Sequence, residues 1–247
     1  MTHDERGLDE QIVSKAAEVT LSSQLDSAEK IDVDIKTNLP EIIQGQVDSV
    51  EISGQGLVMQ KDIRVQEMQL HTDTVDINPL SALFGQIELN QPIDATGRVV
   101  LLEADLNRTL NSDYVRSKME SYELNVDGQI VTLEMQQMEL RLPMGDTMVF
   151  SAKTLLTEKG KTRQLGFTAT ARPRTRKQPV LIEGFHCHDG QSISLEVAVA
   201  LLEKIKEIVN LPYLEMEQMA FRVQEMEVQP GSITLQVQAH VKQLPSE

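Results

Sequence analysis

The side chains best suited to chemistry in this sequence are grouped in the phrase FHCHDG, residues 185–190. On an extended segment His186 and His188 share one face, Cys187 takes the other, and Asp189 follows after a turn. Two imidazoles and a carboxylate are metal-ligand types, and a metal held there would activate water for hydrolysis. Zinc needs three or four ligands, so a distant His71 or His240 would have to complete the set. The plainer reading is a polar strand face near a turn, and on that reading no metal and no other cofactor is expected.

A second group is basic. Residues 153–177 carry eight Lys or Arg against one acid, a net of +7, so the rest of the chain carries −22 of the total of −15. Within it Arg172, Arg174 and Arg176 alternate, which on a strand would put them on one side, with Lys177 beside them. Such a row can clamp anionic headgroups or an acidic partner. It can equally blunt an exposed sheet edge, a role for which Pro173 and Pro179 are suited. No phosphate-cradling loop of the GxxxxGK[ST] or GxGxxG kind, no GxSxG elbow and no nucleophilic triad is present. No residue is assigned a catalytic role, and the chain is not expected to be an enzyme.

Composition narrows the field further. The chain has 247 residues, 40% of them hydrophobic, enough for a single domain spanning 1–247 with a sizeable core. Aromatics make up only 3%, with no Trp, while there are 11 Met. Few stacking rings and a strong negative charge argue against nucleic acid as a partner. Met-rich surfaces suit an adaptable apolar contact, although such residues usually fill cores. One cysteine allows no internal disulfide. The charged start MTHDERGLDE and the absence of any long apolar run predict a cytoplasmic protein without a transmembrane segment, able to sit peripherally on the cytosolic face of a membrane.

The elements that would position these groups follow from periodicity. Residues 8–23 read as a helix with Leu8, Ile12, Ala16 and Val19 on its apolar face. KIDVDIKT alternates strictly and predicts a half-buried strand, VDSVEISGQG continues it, and 62–77 is a strand pair or one bent strand. NPLSALFG predicts a short helix ended by Gly85. IDATGRVVLL is a strand feeding, with only Glu103–Asp105 between, into a helix capped by Asp105. Leu106, Leu110, Tyr114, Val115 and Met119 recur along that helix at its period. Hairpins fill 129–174, a strand covers 178–188, and SLEVAVALLEKIKEIVN forms a long helix stopped by Asn210 and Pro212. The first half of this helix is apolar nearly all round and is expected to be deeply buried. A final hairpin turns at Pro230–Ser232. RVQEM occurs at 64–68 and again at 222–226, and QPI at 91–93 is echoed by QPV at 178–180. The chain can thus be divided into two related strand–helix–hairpin units, 91–175 and 178–244; amphipathic strands that merely look alike are the other reading. The fold class is α+β, a long antiparallel sheet closing on apolar helices.

GQVDSVEISGQGL at 45–57, IRVQEMQLHTDTVDI at 63–77 and ATGRVVLLEADLNRTLNS at 95–112 resemble the LmeA-like phospholipid-binding family, a bacterial family. Leu102, Glu103, Asp105, Leu106, Asn107 and Leu110 are the most specific part of the likeness, and RVQEMEVQPGSITL resembles the family's closing hairpin. The resemblance implies a tubular lipid-binding fold, in which a strongly curved antiparallel sheet wraps a helix and an acyl chain lies in an apolar groove. On this chain the groove would be lined by Leu102, Leu106, Leu110, Tyr114, Met119, Ala198, Leu201, Leu202 and Ile205. Headgroup or membrane docking would fall to Arg172, Arg174, Arg176 and Lys177. One member acts in envelope lipoglycan assembly and is exported; the charged start seen here does not match export.

Three functions compete. The first is non-catalytic binding of a phospholipid or other acyl lipid, with lipid transfer or membrane-associated sensing as its use. The second is an adaptor on the same fold with a filled groove, docking through 172–177. The third is a metal-dependent hydrolase around His186 and His188. The lipid class, the oligomeric state and the pathway are not encoded in any motif.

Overall fold

A computed structural model describes residues 7–23, 25–59, 63–78, 88–119, 121–188, 193–216 and 219–243. The expected NPLSALFG helix lies outside them. Fourteen strands, β1 to β14, and five helices, α1 to α5, are found among these residues. Two antiparallel sheets account for most of the strands.

The first sheet has seven strands. β1 (Lys30–Lys36), β3 (Ser49–Met59), β4 (Ile63–Thr72) and β6 (Ile93–Leu102) follow one another across it; then come β14 (Ser232–Val241), β13 (Met219–Gln229) and β12 (Leu214–Met216). The second is a simple meander of β7 (Ser121–Val126), β8 (Gln129–Arg141), β9 (Met148–Glu158), β10 (Lys161–Arg172) and β11 (Leu181–His188). The short strands β2 (Gln46–Val47) and β5 (Val75–Asp76) pair separately. Strand β7 escaped the periodicity reading, which placed nothing between 119 and 129. Its signal was the Asp127–Gly128 dipeptide, both residues at positive φ (50° and 81°), which closes the β7–β8 hairpin as a two-residue turn. Lys159–Gly160 (50° and 74°) does the same between β9 and β10.

The five-stranded sheet curls around one helix. Its core takes Leu124 from β7, Val131 and Leu133 from β8, Leu156 from β9 and Phe167 from β10, with Phe185 of β11 packed on it. All close on Val197 and Leu201 of α5 (Leu195–Val209). Register shifts at Gln136 in β8 and at Glu183 in β11, opposite Thr170/Ala171, add local twist, which is how a flat meander becomes a half-barrel. The helix is less enclosed than its composition suggested: Val197 and Leu201 are buried, but Leu195 and Val199 are exposed. A curled sheet covers one side of a helix, so an all-apolar stretch leaves some apolar residues outside.

Strand β6 runs into α3 (Glu103–Leu110) with no intervening turn. Leu102 is the N-cap, without a side-chain cap, and the backbone N–H of Glu103 donates to Gly231 O at 2.9 Å. Asp105 is therefore not the cap. It lies in the first turn, 4% exposed, with its carboxylate on Arg108 Nη1 at 2.9 Å. Nor is the helix continuous to Met119. It stops at Asn111, and Ser112 caps a separate α4 (Asp113–Lys118) by accepting from Val115 N–H.

The reason for the break lies on the neighbouring strand. β7 pairs with β8 only along 129–134, so the far half of β8 needs other partners. Side chains of α3 and α4 supply them. Glu103 Oε2 accepts from Leu142 N–H at 2.6 Å; Asn107 accepts from Leu140 N–H (2.7 Å) and donates to Leu140 O (2.8 Å). Asn111 treats Met138 in the same way, and Arg116 Nη2 donates to Gln136 O at 2.8 Å. From Glu103 to Asn111 every fourth residue thus meets every second strand residue, and Arg116 of α4 adds a fourth rung five residues on. Four helical residues rise about 6 Å and two strand residues about 6.8 Å, so the two lattices keep step for a few rungs.

The same device orients α1 (Leu8–Ser23) on the edge strand β1. Thr37 N–H donates to Glu10 Oε1, Ile35 N–H to Ser14 Oγ at 3.1 Å, and Val33 N–H to Glu18 Oε1. The helix is turned accordingly: Val13, Ala17 and Leu21 pack on the core, whereas Ile12, Ala16 and Val19, the expected apolar face, are exposed. Satisfying the backbone of an edge strand here outweighs burying these three apolar side chains.

Replacing Asn107 by Ala removes three hydrogen bonds, one of them to Glu103 O within the helix, and strands two backbone groups of Leu140. The expected loss is about 2 kcal/mol, to be read from urea denaturation. A loss below about 0.5 kcal/mol would mean that water replaces the amide without cost.

Candidate functional site

The two sheets meet where Leu142, Val228 and Ile233 pack together with Leu101, Leu106, Leu140, Met148, Met226 and Leu235. Their packing is incomplete. A cavity of about 420 Å³ lies between the five-stranded sheet, helices α3 and α5 and the β13–β14 hairpin. That is within the span of roughly 300–1,000 Å³ usual for small-molecule sites. One wall is β10, whose alternate residues Phe167, Ala169 and Ala171 face the space; the alanines are why it exists. Met135, Met148 and Phe150 extend this wall, and Phe221, Val223 and Met226 of β13 stand on the hairpin side. Helix α5 contributes Leu201, Ile205, Ile208 and Val209.

Three lining residues are polar or charged: Tyr122, Arg174 and Lys204. The Lys204 ammonium stands 5.9 Å from the centroid of the Tyr122 ring and donates to Glu207 Oε2 at 3.0 Å. Burial pushes the Tyr122 phenol above its ordinary range, with Lys204 working the other way. Arg174 Nη2 donates to Asn210 Oδ1 at 3.2 Å, at the C-terminal end of α5. Val209 and Leu211 both line the cavity and are partly open to solvent, so the mouth is at this end.

Of the residues read from sequence, Leu106, Leu110, Met119, Leu201 and Ile205 line the cavity together. Leu102, Tyr114, Ala198 and Leu202 do not. Leu102 alternates with Leu101, and it is Leu101 that faces in; Ala198 and Leu202 lie off the face of α5 that carries Leu201, Ile205 and Ile208. Sequence reasoning missed the β10 alanines, because small residues in a strand carry no signal of what they leave unfilled.

The three arginines do not form a row. β10 ends at Arg172, Pro173 is buried, and 175–178 form a turn in which Thr175 and Gln178 bond to each other. Arg172 pairs with Glu183 and Arg176 with Glu225, Lys177 is exposed, and only Arg174 reaches the cavity. His186, Cys187 and His188 are exposed on β11, an edge of the five-stranded sheet, with His188 Nε2 3.0 Å from Thr168 Oγ1. Asp189 lies outside the described residues. His71 and His240 belong to the other sheet, beside Asp73 and Asp94 respectively. Among the described residues no group of three His, Cys, Asp or Glu is placed to hold a metal, and no helix is long and apolar enough to cross a membrane.

A wider depression of about 670 Å³ lies on the seven-stranded sheet, lined by Asp32, Asp34, Glu51, His71, Arg98 and Arg176 among others. It is open, its lining is polar and apolar in near-equal parts, and Arg98 and Arg176 there are paired with Glu67 and Glu225. The apolar cavity between the sheets, with its almost wholly hydrocarbon lining, is the stronger site.

Neither a curated protein nor a solved structure matches the chain. A family model does: LmeA-like phospholipid-binding, over residues 6–238, nearly the whole length. That match covers far more than half of the chain, and the chain belongs to the LmeA-like phospholipid-binding family.

Proposed function

We propose that this protein holds the acyl chain of a phospholipid in the cavity between its sheets, as a carrier or membrane-associated sensor of lipid and without chemical turnover. The observation that carries the reading is the cavity itself: 420 Å³ bounded by aliphatic, aromatic and Met side chains. Empty apolar space of that size forfeits packing, and an acyl chain restores it at about 0.8 kcal/mol per methylene removed from water. The exposed Leu181, Leu211 and Tyr213 near the mouth would ease passage from a bilayer. Membrane contact in this reading is peripheral.

The adaptor reading, with docking through 172–177, is disfavoured by the pairing of Arg172 and Arg176 with this chain's own glutamates. The test is organic extraction of the natively purified chain followed by mass spectrometry. One acyl lipid per chain is expected, or uptake of one on exposure to mixed phospholipid vesicles. No lipid in either case would refute the reading.

A further inference from the structure

We infer that Arg174, assisted by Lys204, recognises a negatively charged oxyanion at the head of the bound lipid, so that the cavity selects anionic over neutral acyl lipids. This rests on the lipid-binding reading above. Arg172 and Arg176 on either side each have a carboxylate partner. Among the described residues Arg174 has none; its guanidinium meets the neutral amide of Asn210 while lining an otherwise apolar space. A cation drawn partly out of water beside hydrocarbon walls is stabilised by an anion, and the described residues do not supply one.

The group is also held in place. Arg174 O accepts from Met226 N–H at 2.8 Å, tying its backbone to β13. Asn210 is fixed in turn: its Oδ1 accepts from Val180 N–H at 2.9 Å and its Nδ2 donates to Lys206 O at 3.0 Å. One guanidinium N–H is used on Asn210, leaving the others for a phosphate or carboxylate fork. Lys204, on the cavity wall, adds a second positive charge, partly neutralised by Glu207.

A purely structural role also exists, since a cation beside the carbonyl end of α5, the negative pole of its dipole, is favourable. The two roles separate by headgroup. Those carbonyls repel an anion, so without Arg174 the mouth would disfavour the lipids it is proposed to select. A structural cation would leave headgroup preference unmoved.

The experiment is competition for the delipidated full-length chain between phosphatidylglycerol and diacylglycerol with identical chains, read by native mass spectrometry. A separate arm adds excess glycerol phosphate, which has the oxyanion and no chain. Wild type is expected to favour phosphatidylglycerol at least about tenfold, and glycerol phosphate should not compete. Arg174→Gln should remove or invert the preference, Arg174→Lys should keep part of it, and Lys204→Gln should have the smaller effect. Equal binding of both lipids by wild type overturns the inference while leaving the lipid-binding reading intact. Binding of neither lipid removes both. Competition by glycerol phosphate overturns the lipid headgroup as the source of the anion. Should Arg174→Gln not fold, the wild-type preference and the Arg174→Lys and Lys204→Gln variants still decide.

Discussion

Phe167→Ala is expected to be among the most damaging single substitutions in this protein, costing about 3–5 kcal/mol. The ring is fully buried, with Phe150 and Phe185 at centroid distances of 6.1 and 5.6 Å. It shares one core with Leu156 and Leu165 of the sheet and Val197 and Leu201 of α5, so its loss loosens packing on both the sheet and the helix. For a chain of this size each kcal/mol lowers the melting midpoint by roughly 2–4 °C, which predicts a fall of about 6–20 °C. Because Phe167 also borders the cavity, the void left behind joins existing space and cannot easily collapse. Thermal and urea unfolding measure the effect. A loss below about 1 kcal/mol would show that the surrounding side chains close over the gap and that the cavity wall is soft.

Adding a ring next door should do the opposite to stability and more to function. Ala169 is 4% exposed and faces the cavity; Ala152 on β9 is 3% exposed, belongs to the same core and does not line the cavity. Ala169→Phe places its ring in space an acyl chain would use. Displacing three or four methylenes at about 0.8 kcal/mol each weakens lipid binding roughly 100-fold, with the fold as stable as before or more so. Ala152→Phe forces the same ring into filled core and is expected to destabilise by about 1–3 kcal/mol. Lipid uptake and unfolding of the two variants, measured side by side, separate cavity from core. If Ala169→Phe were as destabilising as Ala152→Phe and bound lipid normally, the acyl chain would not occupy this space.

Much of this architecture was legible in the sequence because it depends on local pattern. Val33 and Ile35 announced β1 by alternation, turn residues marked the hairpins from 129 onward, and Asn210 and Pro212 stopped α5 where the helix ends. What was not legible depends on partners far away in sequence. The apolar stripe of α1 pointed outward because Glu10, Ser14 and Glu18 were needed on β1, and nothing within the helix says which strand it will serve. Asn107 and Asn111, four residues apart and each offering a donor and an acceptor, were visible but unexplained until the unpaired half of β8 stood beside them. The site divides in the same way. Leu106, Leu110, Leu201 and Ile205 follow from helical period, whereas Arg174 was read as one of three equivalent arginines. A proline and two neighbouring glutamates made it different.

The way the seven-stranded sheet is closed has a consequence for how the chain is made. β1, β3, β4 and β6 come from the first part of the sequence, β12 to β14 from the last, and the halves join where β6 pairs with β14 from Ile93↔Val241 to Leu102↔Ser232. The whole five-stranded sheet is encoded between them. During synthesis, β6 therefore waits with one edge unpaired, presenting Val99, Val100 and Leu101, while the entire second sheet emerges. Pairing across so long a separation is slow, and a waiting apolar edge is open to another copy of the same nascent chain. Ribosomes stalled before β14 should thus yield chains that aggregate through β6, whereas release past Val241 should yield monomeric, protease-resistant ones.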